Sequence, residues 1–394
     1  MPTPIKAVPA AAPSALDSAV ASLARLGAEL GACFYERGHV IPQILDSLVA
    51  GEHVLLLGEP GTAKSDLTEA IRRAFDSEYF GILMSRFTTP DEVFGPFDPK
   101  ALTEQGRLCR KPDGYLPTAG VVFLDEVFKA SSAINNALLQ AINERQWRND
   151  GALQSMPLRF VMGASNEIPA DDSGLEAFFD RFLSRFWIKQ LQDDQSARDL
   201  FFGQRATVTA KVSFAELDVI RSHAASLPFT ADAQDAVLAI RTEIRARGII
   251  VSDRRWKKAC GLLRAHAARR GLSVVTTACL SPLENVLWSK PEQAPIVREV
   301  VASFAATWMN DVRAIAGVID EQSTRLADVL RKSSNLSTKL RDFAKVMAAL
   351  EPEEIKLAEL VKTVPDAAEE AQSLLDRIAG MFDLVKQAGR SLGA

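Results

Sequence analysis

The chain has 394 residues, 47% of them apolar and 24% charged, enough material for more than one packed core and the balance of an ordinary globular protein. Its formal net charge of −4 argues against a dedicated nucleic-acid binder, which carries a basic field to engage phosphates. The four cysteines (Cys33, Cys109, Cys260, Cys279) form no C-x-x-C pair and no cluster with the four histidines, which excludes the usual zinc and disulfide frameworks and suits a cytoplasmic protein with reduced thiols.

Residues 1–18 read as a flexible leader, because Pro4, Pro9 and Pro13 interrupt any signal-like apolar run. No stretch approaches the ~20 apolar residues of a membrane span. Leu16, Val20, Leu23, Leu26 and Leu30 recur at helical steps, and a second helix around Ile41–Val49 leads into a strand at His53–Leu57. Further short apolar runs at Phe80–Met84, Val121–Leu124 and Phe160–Met162 alternate with helical segments such as Ser65–Phe75 and Ala133–Glu144. That alternation predicts an α/β fold with a parallel sheet flanked by helices over residues 19–192. Within it, Gly106–Pro117 reads as a β-hairpin around a Pro-Asp-Gly turn, part of an insertion at about 88–120. Residues 193–288 predict a small all-α domain, with helices near Ser196–Gly203, Phe214–Ser226, Ala231–Arg247 and Arg254–Arg269. Residues 289–394 predict a helical C-terminal region punctuated by Pro352 and Pro365.

Directly after the first strand comes Gly58-Glu59-Pro60-Gly61-Thr62-Ala63-Lys64-Ser65. A strand, a glycine loop and a helix start in that order cradle phosphates with backbone N–H groups. Lys64 would reach the β- and γ-phosphates of ATP and Ser65 would ligate Mg²⁺. Ala63 stands where the strict motif has glycine, a position near the helix start where alanine can be accommodated.

Val121–Leu124 would deliver Asp125 and Glu126 to the C-terminal end of a central strand, where ligands of open α/β sheets bind. Asp125 would hold Mg²⁺ and Glu126 would activate water. Asn166 closes another apolar strand and would touch that water or the γ-phosphate; the bland reading is an Asx turn into the next loop. Arg181 and Arg185, four apart on a supposed helical face, are the candidates for a finger arginine offered by a neighbouring subunit, Arg181 first. The bland reading is two surface arginines paired with Asp180 or Glu176. Ser252-Asp253-Arg254-Arg255-Trp256 opens a helix, and Arg254, or else Arg255, would report the γ-phosphate to the helical domain.

With these residues in hand the chain resembles the AAA+ ATPases and, more narrowly, the MoxR family and its RavA-type branch. Glu59–Ser65, Arg86–Pro96, Gly120–Glu126 and Ser252–Trp256 carry the likeness, which covers roughly residues 30–285. The resemblance implies an AAA+ core followed by a lid and a helical extension. It also implies a hexameric ring with ATP at subunit interfaces, and chaperone-like work on a protein client beside a von Willebrand A domain partner. A nucleic-acid motor is the other reading, on the basic run from Arg241 to Arg270. That run is spread around helices and lacks an aromatic stacking platform, so a nucleic-acid partner is not expected.

Overall fold

The computed structural model describes residues 14–169, 175–203, 206–305, 307–331, 336–363 and 367–391. The stretch before residue 14, where most of the expected leader falls, and Pro365 lie outside them.

Helices α1 (Ala15–Cys33) and α2 (Val40–Ala50) precede strand β1 (His53–Leu57), helix α3 (Lys64–Ala74) and strand β2 (Tyr79–Leu83). Short helices α4 (Pro90–Phe94) and α5 (Pro99–Gln105) lead to β3 (Val121–Asp125) and α6 (Ser132–Glu144). Then come β4 (Gln146–Asn149), β5 (Ala152–Ser155), β6 (Phe160–Ser165), the one-turn α7 (Glu176–Phe179) and β7 (Phe182–Trp187). The remainder is helical: α8 (Asp194–Phe202), α9 (Phe214–Ser226), α10 (Ala231–Ala246), α11 (Asp253–Arg269), α12 (Gln293–Ala305), α13 (Thr307–Arg331), α14 (Leu336–Thr363) and α15 (Ala368–Ser391).

Five strands make one parallel sheet in the order β2-β3-β6-β1-β7. Every residue of β1 and β6 is buried, as expected of strands covered on both faces, whereas the edge strand β2 is mostly open. Because β3, β6 and β1 are neighbours, the loops leaving their C-terminal ends open side by side, and the site is built there. His53 ties two strands at the opposite end. Its Nδ1 accepts the Val161 N–H (3.2 Å), leaving Nε2 to donate to the Ile142 carbonyl (3.3 Å). Burial holds its pKa down to about 3, so it stays neutral.

Strand β7 replaces the helical face expected around Arg181 and Arg185. Phe182, Leu183, Ser184, Arg185 and Phe186 are all buried, which suits a strand covered on both faces and not an amphipathic helix. The expected hairpin at Gly106–Pro117 is also absent. Its Pro-Asp-Gly turn forms, with the Tyr115 N–H on the Pro112 carbonyl, but the arms pair elsewhere. Lys111 donates to the Pro96 carbonyl, Asp98 to that of Cys109, and only an isolated bridge, Phe97 to Arg110, results. The actual hairpin is β4–β5, turned by Asp150 and Gly151, both at positive φ. Asp-Gly between strand formers is the signature of such a turn.

By compactness the chain forms two units. One gathers the described residues up to Pro228, with Ile244–Val275 and Pro282–Arg298; the other gathers Phe229–Glu243, Thr276–Ser281 and the described residues from Glu299 onward. These limits do not follow the boundaries expected near residues 192 and 288, because α9 and α11 pack on α1 and α2. A buried polar clasp fixes α11 there: Asp46 of α2 takes His266 Nδ1 (2.8 Å) and Arg269 Nε (2.5 Å). In the second unit α13, α14 and α15 pack together around Ile315, Ile319, Val346, Leu350, Leu357, Ile378 and their neighbours. α14 runs unbroken through Pro352 instead of stopping there. Pro352 is exposed, so the carbonyl its missing N–H leaves free can face water, while Leu350 and Leu357 hold both halves to one core.

Candidate active site

Strand β1 hands the chain to Gly58 at φ 144°, where a Cβ would lie 2.1 Å from the Ile188 carbonyl oxygen. Gly61 (φ 79°) turns the loop, and Ala63, the residue before α3, sits at φ 64°. Alanine is thus accommodated, but in the left-handed region, at a cost of roughly 1–2 kcal/mol. Lys64 is buried with its ammonium among loop oxygens: the Gly58 carbonyl at 2.6 Å, that of Glu59 at 2.8 Å, and Asn166 Oδ1 at 3.2 Å. Burial lowers its pKa against the opposing pull of Asp125 and Glu126.

Asp125 ends β3, and its Oδ2 accepts from Ser65 Oγ at 3.4 Å. Glu126 follows at φ 50°, another non-glycine residue in the left-handed region. Its Oε1 accepts from Asn166 Nδ2. Its Oε2 is buried without a hydrogen bond, with the Lys129 ammonium 3.3 Å away. Lys64, Ser65, Asp125, Glu126 and Asn166 therefore converge, from three adjacent strands, on one cavity of about 880 Å³. The Ser65 hydroxyl and the Asp125 carboxylate are the hard oxygen pair a magnesium ion takes, and the unsatisfied Glu126 Oε2 is an acceptor for a water proton. These residues fit Mg-ATP.

Part of the cavity wall was not evident from the sequence: Phe34, Tyr35 and Arg37 on one side, Gln190, Leu191 and α8 on another. Arg37 donates to the Lys189 carbonyl (2.7 Å), and Glu36 accepts from the Gln192 and Asp193 N–H groups, so the two segments are laced together. No motif marks them. They meet only because β1 and β7 are neighbours in the sheet.

The arginine candidates separate sharply. Arg185 is 1% exposed, its guanidinium donating to the carbonyls of Phe182, Trp288 and Phe179 and lying over the Phe179 ring. Arg255 is 4% exposed and donates to Val286, Phe182 and Leu183 carbonyls and to Asp180 Oδ1 (2.9 Å). Neither lines the cavity. Arg181 is partly exposed, and its Nε makes no hydrogen bond. Burial lowers its pKa, and nearby Arg254 lowers it further. Arg254 is exposed and donates to Asn143 Oδ1 at 3.2 Å. The two guanidinia thus feel each other electrostatically, and neither lines the chain's own cavity.

Comparison with known proteins agrees with this architecture. Residues 21–222 match the family described as the MoxR domain in the MoxR-vWA-beta-propeller ternary systems, and residues 232–301 match an AAA lid domain. The uncharacterized protein MJ0812 of Methanocaldococcus jannaschii is 36% identical over 272 residues, 69% of this chain and 72% of its own. Chaperone MoxR1 of Mycobacterium tuberculosis is 26% identical over 185 residues, 46% of this chain and 48% of its own. A crystal structure from Cytophaga hutchinsonii, described as that of a candidate ATPase, superposes with a TM-score of 0.57 at 16% identity, covering 74% of this chain and 95% of that one; this likeness speaks for the fold. The matched family spans more than half of the chain and coincides with the phosphate loop, the acidic pair and the sheet that carries them: the protein is a member of the MoxR family of AAA+ ATPases.

Proposed function

We propose that this protein hydrolyses Mg-ATP at interfaces between copies of itself in a hexameric ring and uses the cycle to remodel or activate a protein client in the cytoplasm. The convergence of Lys64, Ser65, Asp125, Glu126 and Asn166 on one cavity carries this reading. Lys64 and the backbone from Gly58 to Ser65 hold the phosphates, and Ser65 and Asp125 would hold Mg²⁺, which neutralises developing charge on the phosphate oxygens when bound. Glu126 takes the proton of the attacking water through Oε2, which accepts no hydrogen bond and has the Lys129 ammonium 3.3 Å away, and Asn166 holds the carboxylate by its other oxygen. Arg181, and with it Arg254, serves the γ-phosphate of a neighbouring copy. The absence of Arg254 from the lining of the chain's own cavity, and its electrostatic effect on Arg181, support this over the expected role in its own cavity.

A von Willebrand A domain partner is supported by the description of the matched family, and the RavA-type affinity by Arg86–Pro96 and Ser252–Trp256. Much of the basic run that favoured a nucleic-acid motor is occupied internally. Arg255 and Arg269 hold Asp180 and Asp46, Lys258 holds Glu52 and Arg264 holds the Leu227 carbonyl.

Glu126→Gln keeps the shape and loses the base, so ATP binding should persist while turnover falls about 10²- to 10⁴-fold. The same variant, held in its ATP state, is bait for capture from native extract. Normal turnover would sink the base assignment, and ATP-dependent retention of nucleic acid without a protein would overturn the protein-remodelling reading.

A further inference from the structure

The two buried arginines close to Arg181 do not line the candidate ATP cavity, yet both are spent on the few residues around it. Arg185 grips the carbonyls of Phe179 (3.2 Å) and Phe182 (3.2 Å). Arg255 grips the carbonyls of Phe182 (3.2 Å) and Leu183 (2.7 Å) and the carboxylate of Asp180 (2.9 Å). Residues on both sides of Arg181 are thereby pinned, while Arg181 itself keeps a buried Nε without a hydrogen bond. The same guanidinia reach the opposite way, Arg185 to the Trp288 carbonyl and Arg255 to that of Val286 (2.5 Å). Arg255 also directly follows the exposed Arg254.

Burying a guanidinium is costly unless its donors are filled, and burial does weaken the charged form of both Arg185 and Arg255. One arginine would suffice to satisfy a loose carbonyl. Two, converging from a strand and a helix on the five-residue stretch from Phe179 to Leu183, make it a rigid pedestal.

We propose that Arg185 and Arg255, with Asp180, are positioning residues that hold Arg181 and Arg254 as one preformed two-pronged unit, so that the finger moves only together with α11 and the segment Val286–Trp288. The proposal rests on the reading of Arg181 as a finger for a neighbouring copy. A preorganised group loses activity steeply when displaced, about 100-fold for a shift near 1 Å. Because Arg255 lies outside the cavity, ATP affinity should be spared.

The test is steady-state ATP hydrolysis by the full chain with Arg255→Lys, alone and mixed with Lys64→Ala protein, with Arg181→Ala as the reference and thermal unfolding recorded for each. The expected result is a kcat lower by ten-fold or more with KM for ATP within about two-fold, and recovery of activity on mixing, since the Lys64→Ala copy supplies an intact pedestal to the sound cavity of the variant. An unchanged kcat, or a loss that mixing does not restore while Arg181→Ala is restored, would overturn the positioning role. Failure of Arg181→Ala itself to be restored would instead remove the shared-site reading on which the proposal rests. If Arg255→Lys does not fold, Asp180→Asn, which removes one charge from the pedestal and keeps its shape, must show the same split and the same recovery.

Discussion

The two units hold themselves together by different means. The site-bearing unit buries charge: Asp46 between His266 and Arg269, Arg255 on Asp180, Arg185 on three carbonyls. The second unit is closed by aliphatic side chains at helical spacing, Ile315, Ile319, Leu326 and Val329 on α13 facing Phe343, Val346 and Leu350 on α14 and Leu374, Ile378 and Met381 on α15. Its buried polar exception among the described residues is Gln322, whose Oε1 has no hydrogen bond. Directional bonds fix geometry and tolerate no substitution, whereas aliphatic packing fixes only volume and patterning. The chain puts the first kind beneath the residues that would handle phosphate, and the second where only a packed surface is needed.

The comparison breaks most visibly at Asp46. Replacing it with alanine leaves Arg269 and His266 buried without their carboxylate and should cost about 3–5 kcal/mol, read as denaturant midpoint or as loss of soluble protein. Arg270 donates to His266 Nε2, so it is the Nδ1 proton that points at Asp46. Burial raises the Asp46 pKa, but Arg269 and His266 outweigh it and the net shift is downward. A carboxyl depressed in the folded state contributes stability above the ordinary range near ~3.9 and loses it as pH falls through the lower folded value. Wild-type protein should therefore destabilise on acidification below that range more steeply than Asp46→Asn, with thermal unfolding between pH 6 and 3 as the readout.

Gln322→Leu sharpens the contrast from the other side. Removing an unsatisfied buried amide should stabilise the bundle by about 1–3 kcal/mol, seen as slower amide exchange in α13 and α14 with the sheet unchanged. No slowing in α13 and α14 would mean the amide is satisfied in solution. The smallest effect belongs to Ala63→Gly. Relief of the left-handed alanine, offset by the entropy of glycine, should leave a gain of about 0.5–1 kcal/mol and intact ATP binding. A clear loss would show that the methyl group packs usefully.

The legible parts of the molecule were those written in local periodicity. The strands ending at Leu57, Asp125 and Ser165 could be read within a residue or two, together with the phosphate loop and acidic pair they deliver, because a buried parallel strand is an uninterrupted apolar run. β7 escaped because Ser184 and Arg185 interrupt its apolar run, and only the Trp288, Phe179 and Phe182 carbonyls explain how that arginine can be buried. The true hairpin was marked by Asp150-Gly151, a stronger cue than the Pro-Asp-Gly turn read in its place; proline lacks the N–H that a strand arm needs. The wall formed by Tyr35, Arg37 and Leu191 was illegible in principle, since it exists only once β1 and β7 lie side by side.

That adjacency gives Gly58 an unusual leverage. Ile188 donates its N–H to the Leu57 carbonyl (2.6 Å) and presents its own carbonyl to the Gly58 Cα, so a single methyl there would wedge the end of β7 away from β1. The displaced chain continues into Gln190 and Leu191, which line the same cavity. One added carbon would thus deform the phosphate loop and the cavity wall from β7 at once without altering a single charged group, so a geneticist seeking a null allele with an unchanged electrostatic surface should begin at this glycine rather than at Lys64.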